Sequence, residues 1–256
     1  ADTPDPVGGV IQRIPGSKEP YGVVEESAWF GAMPKLLGNV GPTGMMAVAK
    51  AGGELWASFG YNTAQEGRSS KPINEVLKAA TADGTIKIDV VAFPDFTTER
   101  QYIKDNASHS YDKHFRVGGV KLTIDGSPQG FTAWRDRPYY APVGDFAVGY
   151  VGYPAATHAQ VLETVDWAFG NDVQILVHSN GEASSDLLLA AIATSEQKYG
   201  KADRRPVLVH GQFLREDQVA TLVALNAFPS LFPMHTLSRG DWHRDHTVGP
   251  ALADNI

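Results

Sequence analysis

Two short apolar runs that each end in a histidine place the tightest constraint on how this chain can fold. They read Val-Gln-Ile-Leu-Val-His178 and Val-Leu-Val-His210, and the histidines lie 32 positions apart (210 − 178). Nearly all-apolar runs of this kind are typical of parallel strands that are covered on both faces. The separation is close to the length of one strand–helix–strand unit. The spacing therefore predicts an α/β fold in which equivalent ends of neighbouring parallel strands carry the two imidazoles.

The alternation of strands and helices extends over most of the chain. Strands are predicted near 60–65, 86–92, 117–124, 172–178, 205–210 and 226–232. Helices are predicted over 27–37, 44–59, 71–82, 97–106, 156–170, 182–199 and 215–225. This alternation indicates a parallel sheet, which an open doubly wound fold and a closed barrel both satisfy. No glycine-rich phosphate-binding motif follows the first of these strands, which disfavours the nucleotide-binding folds.

Two segments fall outside this alternation. Residues 1–28 are rich in Gly and Pro and are predicted to form an irregular loop or a small ribbon. Residues 131–153 contain seven aromatic residues and directly follow the 117–124 strand. On a barrel, a long loop at this place lies on the rim where active sites are built. The loop is therefore expected either to shape the site or to pack as an aromatic mini-core of its own.

Composition excludes several classes of function. The formal net charge is −7 and no cluster of Lys and Arg is present, which argues against a nucleic-acid partner. No apolar run approaches the ~18 residues of a membrane helix, so no membrane partner is expected. The chain has no cysteine, which excludes disulfides and thiolate chemistry. Any metal would therefore be bound by histidine, carboxylate or modified lysine.

The histidine pair and one lysine are the candidate site residues. A single histidine at a strand end is usually a hydrogen-bonded core or cap residue, but two at matching ends favour a metal site. Lys121 lies in an apolar strand, where burial lowers the pKa of an amine. A neutral amine can react with CO₂ to give a carbamate that binds metal ions. The alternatives are a lysine that reaches solvent, one that pairs with Asp125, or one that forms a Schiff base with a carbonyl substrate.

Six short motifs carry a family resemblance. The order and spacing of these motifs resemble the YtcJ-like branch of the amidohydrolase superfamily, in amidohydrolase family 3. The motifs are Thr63-Ala-Gln65-Glu66, Lys121-Leu-x-x-Asp125-Gly-Ser127, His178-x-x-Gly181-Glu182, His210-Gly-Gln212, Phe232-Pro-Met-His235 and Gly240-Asp241-Trp242-His243.

The resemblance implies a metal-dependent hydrolase of amide or other C–N bonds on a TIM-type (β/α) barrel. Metal-activated water would attack a polarised carbonyl of a small amide-like substrate. The family's metal ligands match His178, His210 and Lys121, the last as a carboxylated lysine, and zinc is the expected metal. His235 matches a catalytic histidine that orients the substrate or stabilises charge. The residues expected to bind substrate are Asp125, Trp134, His235, Asp241 and His243.

Departures from the family pattern limit what this chain is expected to do alone. The family's His-x-His pair and its final aspartate have no counterpart, so residues 1–256 are expected to form a single incomplete barrel covering strands two to seven. The chain alone is then expected to bind one metal ion at partial occupancy or none, and to hydrolyse nothing. Open edges near 60–65 and 226–232 are expected to favour homo-oligomers. The alternative function is a non-catalytic barrel that binds a metal or a small molecule.

Overall fold

The predicted alternation is present in the computed structural model, which describes residues 2–256. The strands are β1 Gly9–Arg13, β2 Pro20–Glu26, β3 Thr63–Ser69, β4 Asp89–Pro94, β5 Phe115–Val117, β6 Gly119–Thr123, β7 Gln174–Ser179, β8 Val207–His210 and β9 Phe228–Leu231. The helices are α1 Ser27–Leu37, α2 Gly41–Ser58, α3 Lys71–Ala82, α4 Phe96–Asn106, α5 His158–Gly170, α6 Glu182–Tyr199, α7 Glu216–Ala224 and α8 Met234–Trp242.

The sheets confirm an α/β fold with parallel strands. Strands β3, β4 and β5 form a parallel sheet in that order, and a second sheet has the order β6-β7-β8-β9 with β8 and β9 parallel. Strands β1 and β2 pair in the antiparallel sense. Of the two expectations for residues 1–28, the small ribbon is therefore the correct one.

Local sequence explains where several elements begin and end. The Asp95 side chain accepts a hydrogen bond from the backbone N–H of Thr97 at 2.8 Å, which caps the start of α4. Gly200 ends α6 with φ +75°, a backbone conformation that glycine adopts without steric cost. A Pro in the first turn of α3 has no N–H to leave unsatisfied, so it favours a helix start there.

Two features differ from the sequence prediction. The single strand predicted over 117–124 is divided into β5 and β6, which are separated by Gly118. A side chain at Gly119 would collide with the carbonyl oxygen of Gln174, so this part of the chain requires glycine. No element is predicted after residue 232, where the structure has α8 followed by a π-helical turn over His243–Thr247.

The chain forms two compact units. Unit 1 contains Ala1–Pro34, Thr123–Asp166 and Val177–Ile256, and unit 2 contains Lys35–Leu122 and Trp167–Leu176. The core of unit 2 includes Ala80, Ile86, Ile88, Val90, Ala92, Phe115 and Val117. Buried residues of unit 1 include Val161, Val165, Val177, Leu188, Ile192, Leu208 and Leu222. The expectation of one partial barrel domain over 1–256 stays a prediction.

Two strands lie at the ends of their sheets, where self-association is predicted. Strand β3 is an end strand of its sheet, and β9 is an end strand of the other and is exposed along its whole length. Unpaired strand edges recruit partners, and self-association through these edges stays a prediction.

Among residues 2–256, no helix is both long enough and apolar enough to cross a lipid bilayer.

Candidate metal centre

His178 and His210 come together in unit 1, at the ends of β7 and β8. Their ring centroids lie 4.6 Å apart, and the ring planes meet at 74°. His210 has φ +80° and the next residue, Gly211, has φ +60°. A left-handed backbone is uncommon for residues other than glycine, and strained residues cluster at functional sites. The predicted proximity of the two imidazoles is therefore observed.

Two groups lie within hydrogen-bonding distance of Nε2 of His178. The carbonyl oxygen of Gly126, an acceptor, is 3.0 Å away, and Asn180 Nδ2, a donor, is 3.1 Å away. Asn180 Nδ2 also donates to the Gly126 carbonyl at 2.9 Å. The tautomer in which Nε2 donates to this carbonyl has its lone pair on Nδ1 of His178, where a metal would bind. Metal-binding histidines usually donate their other ring N–H to a carbonyl or carboxylate in this way.

Asp125 supports the turn that follows β7. The carboxylate is completely buried, and it accepts hydrogen bonds from the backbone N–H groups of Trp134, Asn180 and Gly181 at 2.9, 3.0 and 2.8 Å. The Ser184 hydroxyl donates to it at 2.8 Å. Burial raises the pKa of Asp125 to about 7, although these donors act in the opposite direction. Asp125 thus holds the backbone beside His178; its predicted contact with substrate stays a prediction.

Replacing Asp125 by asparagine is expected to destabilise unit 1. The amide would present an NH₂ group to backbone N–H donors, which leaves buried donors unsatisfied at about 1–3 kcal/mol each. We expect Asp125→Asn to lower the free energy of unfolding by roughly 3 kcal/mol, measured by urea denaturation. Asp166→Asn is the matched control, because that carboxylate is half-exposed and pairs with Lys198 at the surface. Equal stability of the two variants would contradict the anchoring role.

Lys121 belongs to unit 2 and lies within β6. It is only 6% exposed, which excludes the alternative in which the lysine reaches solvent. The pKa of Lys121 is lowered to about 8, mainly by burial and to a smaller extent by the charge of Arg68, while the charge of Asp95 acts in the opposite direction. Arg68 Nη2 and Asp95 Oδ2 form an ion pair at 2.7 Å. The charged groups that act on Lys121 are therefore Arg68 and Asp95.

His235 and His243 form a buried stack in unit 1. Their ring planes are inclined by 17° with centroids 5.1 Å apart, and His235 Nδ1 lies 3.1 Å from His243 Nε2. The ring of Phe232 lies between His210 and His235, at centroid distances of 6.5 and 5.2 Å. Burial lowers the pKa of His243 to about 4, with smaller contributions from the charges of His235 and Arg239. The stack therefore consists of neutral imidazoles at neutral pH.

The depressed pKa of His243 predicts a loss of stability in acid. The ordinary pKa of histidine is 6.5, so between pH 6.5 and about 4 the unfolded chain binds a proton at His243 that the folded chain does not. Stability is complete above pH 6.5 and falls as the pH drops. We expect the wild type to lose about 2 kcal/mol more than His243→Gln between pH 7 and 4.5, by urea denaturation at each pH. Asp125 titrates in both proteins and cancels, and equal losses would contradict the assignment.

The other residues predicted to bind substrate differ from this stack in their exposure and in their contacts. The Asp241 side chain is 88% exposed and pairs with Arg244 at 3.0 Å. Trp134 is half-buried and packs on His158 with ring centroids 5.7 Å apart. In the 131–153 loop, Tyr150 stacks with Phe146 at 4.1 Å and with Tyr139 at 5.9 Å, so aromatic rings of this loop pack on one another, as the mini-core alternative predicts. Contact of any of these residues with a substrate stays a prediction.

No pattern in the sequence indicates the buried ion pair between Arg135 and Glu182. Their side chains are 1% and 5% exposed, and Arg135 Nη2 lies 2.8 Å from Glu182 Oε1. The guanidinium also stacks over Phe213 at 4.7 Å and donates to the Thr247 carbonyl. The two residues lie 47 positions apart, beyond the reach of any local pattern.

The number of side chains that could bind one metal ion together is small. Across the part of the chain that the structure describes, no group of three or more His, Asp or Glu side chains is arranged to hold a metal ion. Catalytic zinc usually has three protein ligands. The His178–His210 pair therefore fits a metal in ligand type, and would supply two ligands.

Comparison with known proteins identifies the family. The sequence model of the amidohydrolase family matches residues 1–256. The chain belongs to the amidohydrolase family. No curated protein sequence matches it.

Two solved structures resemble this family member in fold. One is an uncharacterized metal-dependent hydrolase from Pyrococcus furiosus, with TM-score 0.70 and 18% identity over 88% of this chain and 46% of that one. The other is an uncharacterized metal-dependent hydrolase from Pyrococcus horikoshii OT3, with TM-score 0.72 and 17% identity over 93% of this chain and 47% of that one. At these identities the likeness shows a shared fold. The chain spans about half the length of the structures it matches.

Proposed function

We propose that the chain forms part of a metal-dependent hydrolase of amide or other C–N bonds. The observation that supports this most is the His178–His210 pair, with rings 4.6 Å apart and His178 Nε2 held by the Gly126 carbonyl. Family membership and the fold shared with two metal-dependent hydrolases support the same reaction class. The substrate is proposed to be a small amide-like molecule.

The proposed ligands are chemically suited to a divalent metal. Neutral imidazole binds zinc well, and zinc is the proposed metal because the chain has no cysteine and the pair is nitrogen-based. We extend the proposal to Lys121 as a carboxylated ligand, since its burial and lowered pKa favour the neutral amine that reacts with CO₂. Two histidines alone would hold an ion weakly.

Each residue has a distinct part in the proposed reaction. A bound divalent metal polarises a carbonyl and makes water a nucleophile near neutral pH. His178 and His210 would hold the ion, and Asp125 would keep the turn beside His178 in place through its backbone hydrogen bonds. His235, buried beside Phe232, would orient the substrate.

The test is an activity screen of the whole protein. Amides, N-acyl amines and cyclic ureas are assayed with added Zn²⁺ or Mn²⁺, and hydrolysis of at least one class is expected. The 256-residue chain alone is expected to hydrolyse none of them, because the family's final aspartate, which would act as the general base, has no counterpart in it. If the whole protein binds metal but hydrolyses none of these compounds, the alternative function, a non-catalytic barrel that binds a metal or a small molecule, is favoured instead.

Lys121→Ala is expected to abolish hydrolysis by the whole protein, because it removes the amine that would carry the carbamate. A short carboxylic acid such as acetate should restore part of the activity by occupying the vacated volume. Lys121→Arg is the matched control: it keeps the positive charge but cannot be carboxylated, and should be equally inactive and respond less to acetate. Full activity in Lys121→Ala would exclude the carbamate, and borohydride trapping of a substrate on Lys121 would indicate a Schiff base instead.

A further inference from the structure

A chain of three hydrogen-bonded side chains runs through the end of α8 and the π-helical turn. His235 Nδ1 lies 3.1 Å from His243 Nε2, and His243 Nδ1 lies 3.1 Å from the hydroxyl oxygen of Thr247. His235 is 8% exposed, and the other two residues are essentially inaccessible to water. The π-helical turn brings Thr247 back against His243, and π-type turns are frequent at functional sites.

The far end of this chain indicates its direction. The Thr247 hydroxyl has one proton, and it lies 3.0 Å from the backbone carbonyl of His243, which can only accept. Threonine hydroxyls in helical segments commonly donate to the carbonyl four residues earlier. With the proton assigned to that bond, the same oxygen accepts from His243, and the His243 proton is on Nδ1. Neutral histidine has a proton on one ring nitrogen only. His243 Nε2 is then an acceptor, and His235 Nδ1 must be the donor.

We infer that His243 and Thr247 are positioning residues that fix His235 as the tautomer with its proton on Nδ1 and its lone pair on Nε2. Nε2 points away from His243 because the two nitrogens lie on different edges of the ring. The Gly240-Asp241-Trp242-His243 motif thus contributes His243, and the turn after it contributes Thr247, to the positioning of His235.

This tautomer specifies what His235 can recognise. Nε2 of His235 accepts a hydrogen bond and has none to donate, so it pairs with an N–H or O–H group rather than with a carbonyl oxygen. Resting on the proposed function, the inference narrows the substrates to amides or ureas that retain an N–H group. A tertiary amide, which lacks that donor, is disfavoured at this position.

The tautomer is measured directly by NMR on the 256-residue chain. Protein labelled with ¹⁵N-histidine is studied at pH 8, where both rings are neutral, by long-range ¹H–¹⁵N correlation. The His235 signals are assigned by their loss in His235→Gln. We expect His235 with a protonated Nδ1 and a bare Nε2, and His243 in the same form. A proton on Nε2 of His235, or rapid exchange between both forms, would overturn the inference.

Thr247 supplies a matched pair of variants. Thr247→Ser keeps the hydroxyl and should leave the His235 signals in place. Thr247→Val has nearly the same shape but removes the acceptor for His243, so the preference for one tautomer should weaken about tenfold, the value of one hydrogen bond. Unchanged His235 signals in Thr247→Val would overturn the role of Thr247. If that variant fails to fold, the wild-type spectrum decides alone.

The outcome can be separated from that of the activity screen. The spectra need neither metal nor substrate, so a locked His235 tautomer in a protein without hydrolytic activity would refute the proposed function and leave the positioning intact. In an active whole protein, Thr247→Val should lower kcat/KM at least about tenfold for N–H substrates. It should change kcat/KM much less for their N-methylated counterparts. An equal loss for both would overturn the proposed substrate preference.

Discussion

His178→Ala and His210→Ala are each expected to lower the affinity of the 256-residue chain for Zn²⁺ by about 100-fold or more. Loss of groups that merely orient a ligand already costs about 10–100-fold, and these substitutions remove the ligand itself. The affinity is measured by competition with a chromophoric chelator. In the whole protein, the same substitutions should abolish hydrolysis.

The control for this experiment is another histidine of the same unit. His158 is exposed and packs on Trp134, so His158→Ala should leave the zinc affinity unchanged. Circular dichroism checks that all three variants remain folded. Zinc binding that survives both His178→Ala and His210→Ala would place the metal elsewhere and remove the main support for the proposed reaction.

The largest loss of stability is expected from Arg135→Leu. This substitution leaves the Glu182 carboxylate buried without its 2.8 Å partner, and breaking a buried pair costs about 3–5 kcal/mol. It also removes the guanidinium from the face of Phe213 and from the Thr247 carbonyl. The loss is measured as the change in the free energy of unfolding in urea.

Two comparisons separate the ion pair from the general effect of removing an arginine. Arg205→Leu removes an exposed arginine whose pair with Asp203 is a surface one, and should cost less than about 1 kcal/mol. The double variant Arg135→Leu/Glu182→Leu should be more stable than Arg135→Leu, because no unpaired charge is left in the core. A single variant as stable as the double one would show that Glu182 is not desolvated.

Elements with a strong local signal were predictable from sequence. Helices α3 and α6 have the predicted bounds: Ser70 and a proline in the first turn mark the start of α3, and Gly181 and Gly200 flank α6. The juxtaposition of His178 and His210 was also predictable, since equivalent ends of parallel strands lie at the same edge of a sheet. These inferences need only the local pattern and one topological rule.

Contacts between distant positions were not predictable in the same way. Nothing in the sequence around Arg135 indicates Glu182, and the Asp125 carboxylate shows its backbone partners only once the turn after β7 is formed. The His235–His243 hydrogen bond joins positions eight apart, and the bond of His243 with Thr247 lies within a π-helical turn that no simple periodicity predicts. The unpredicted part of the site is therefore the part that tertiary packing creates.

The left-handed backbone of His210 implies a trade-off between folding and chemistry. At φ +80° a glycine would fold with less strain, and it would also eliminate the imidazole. Selection for thermal resistance alone would thus favour a residue that destroys the metal site. Efforts to stabilise this protein by consensus or by backbone relaxation should therefore leave position 210 untouched, because the more stable chain would be the less useful one.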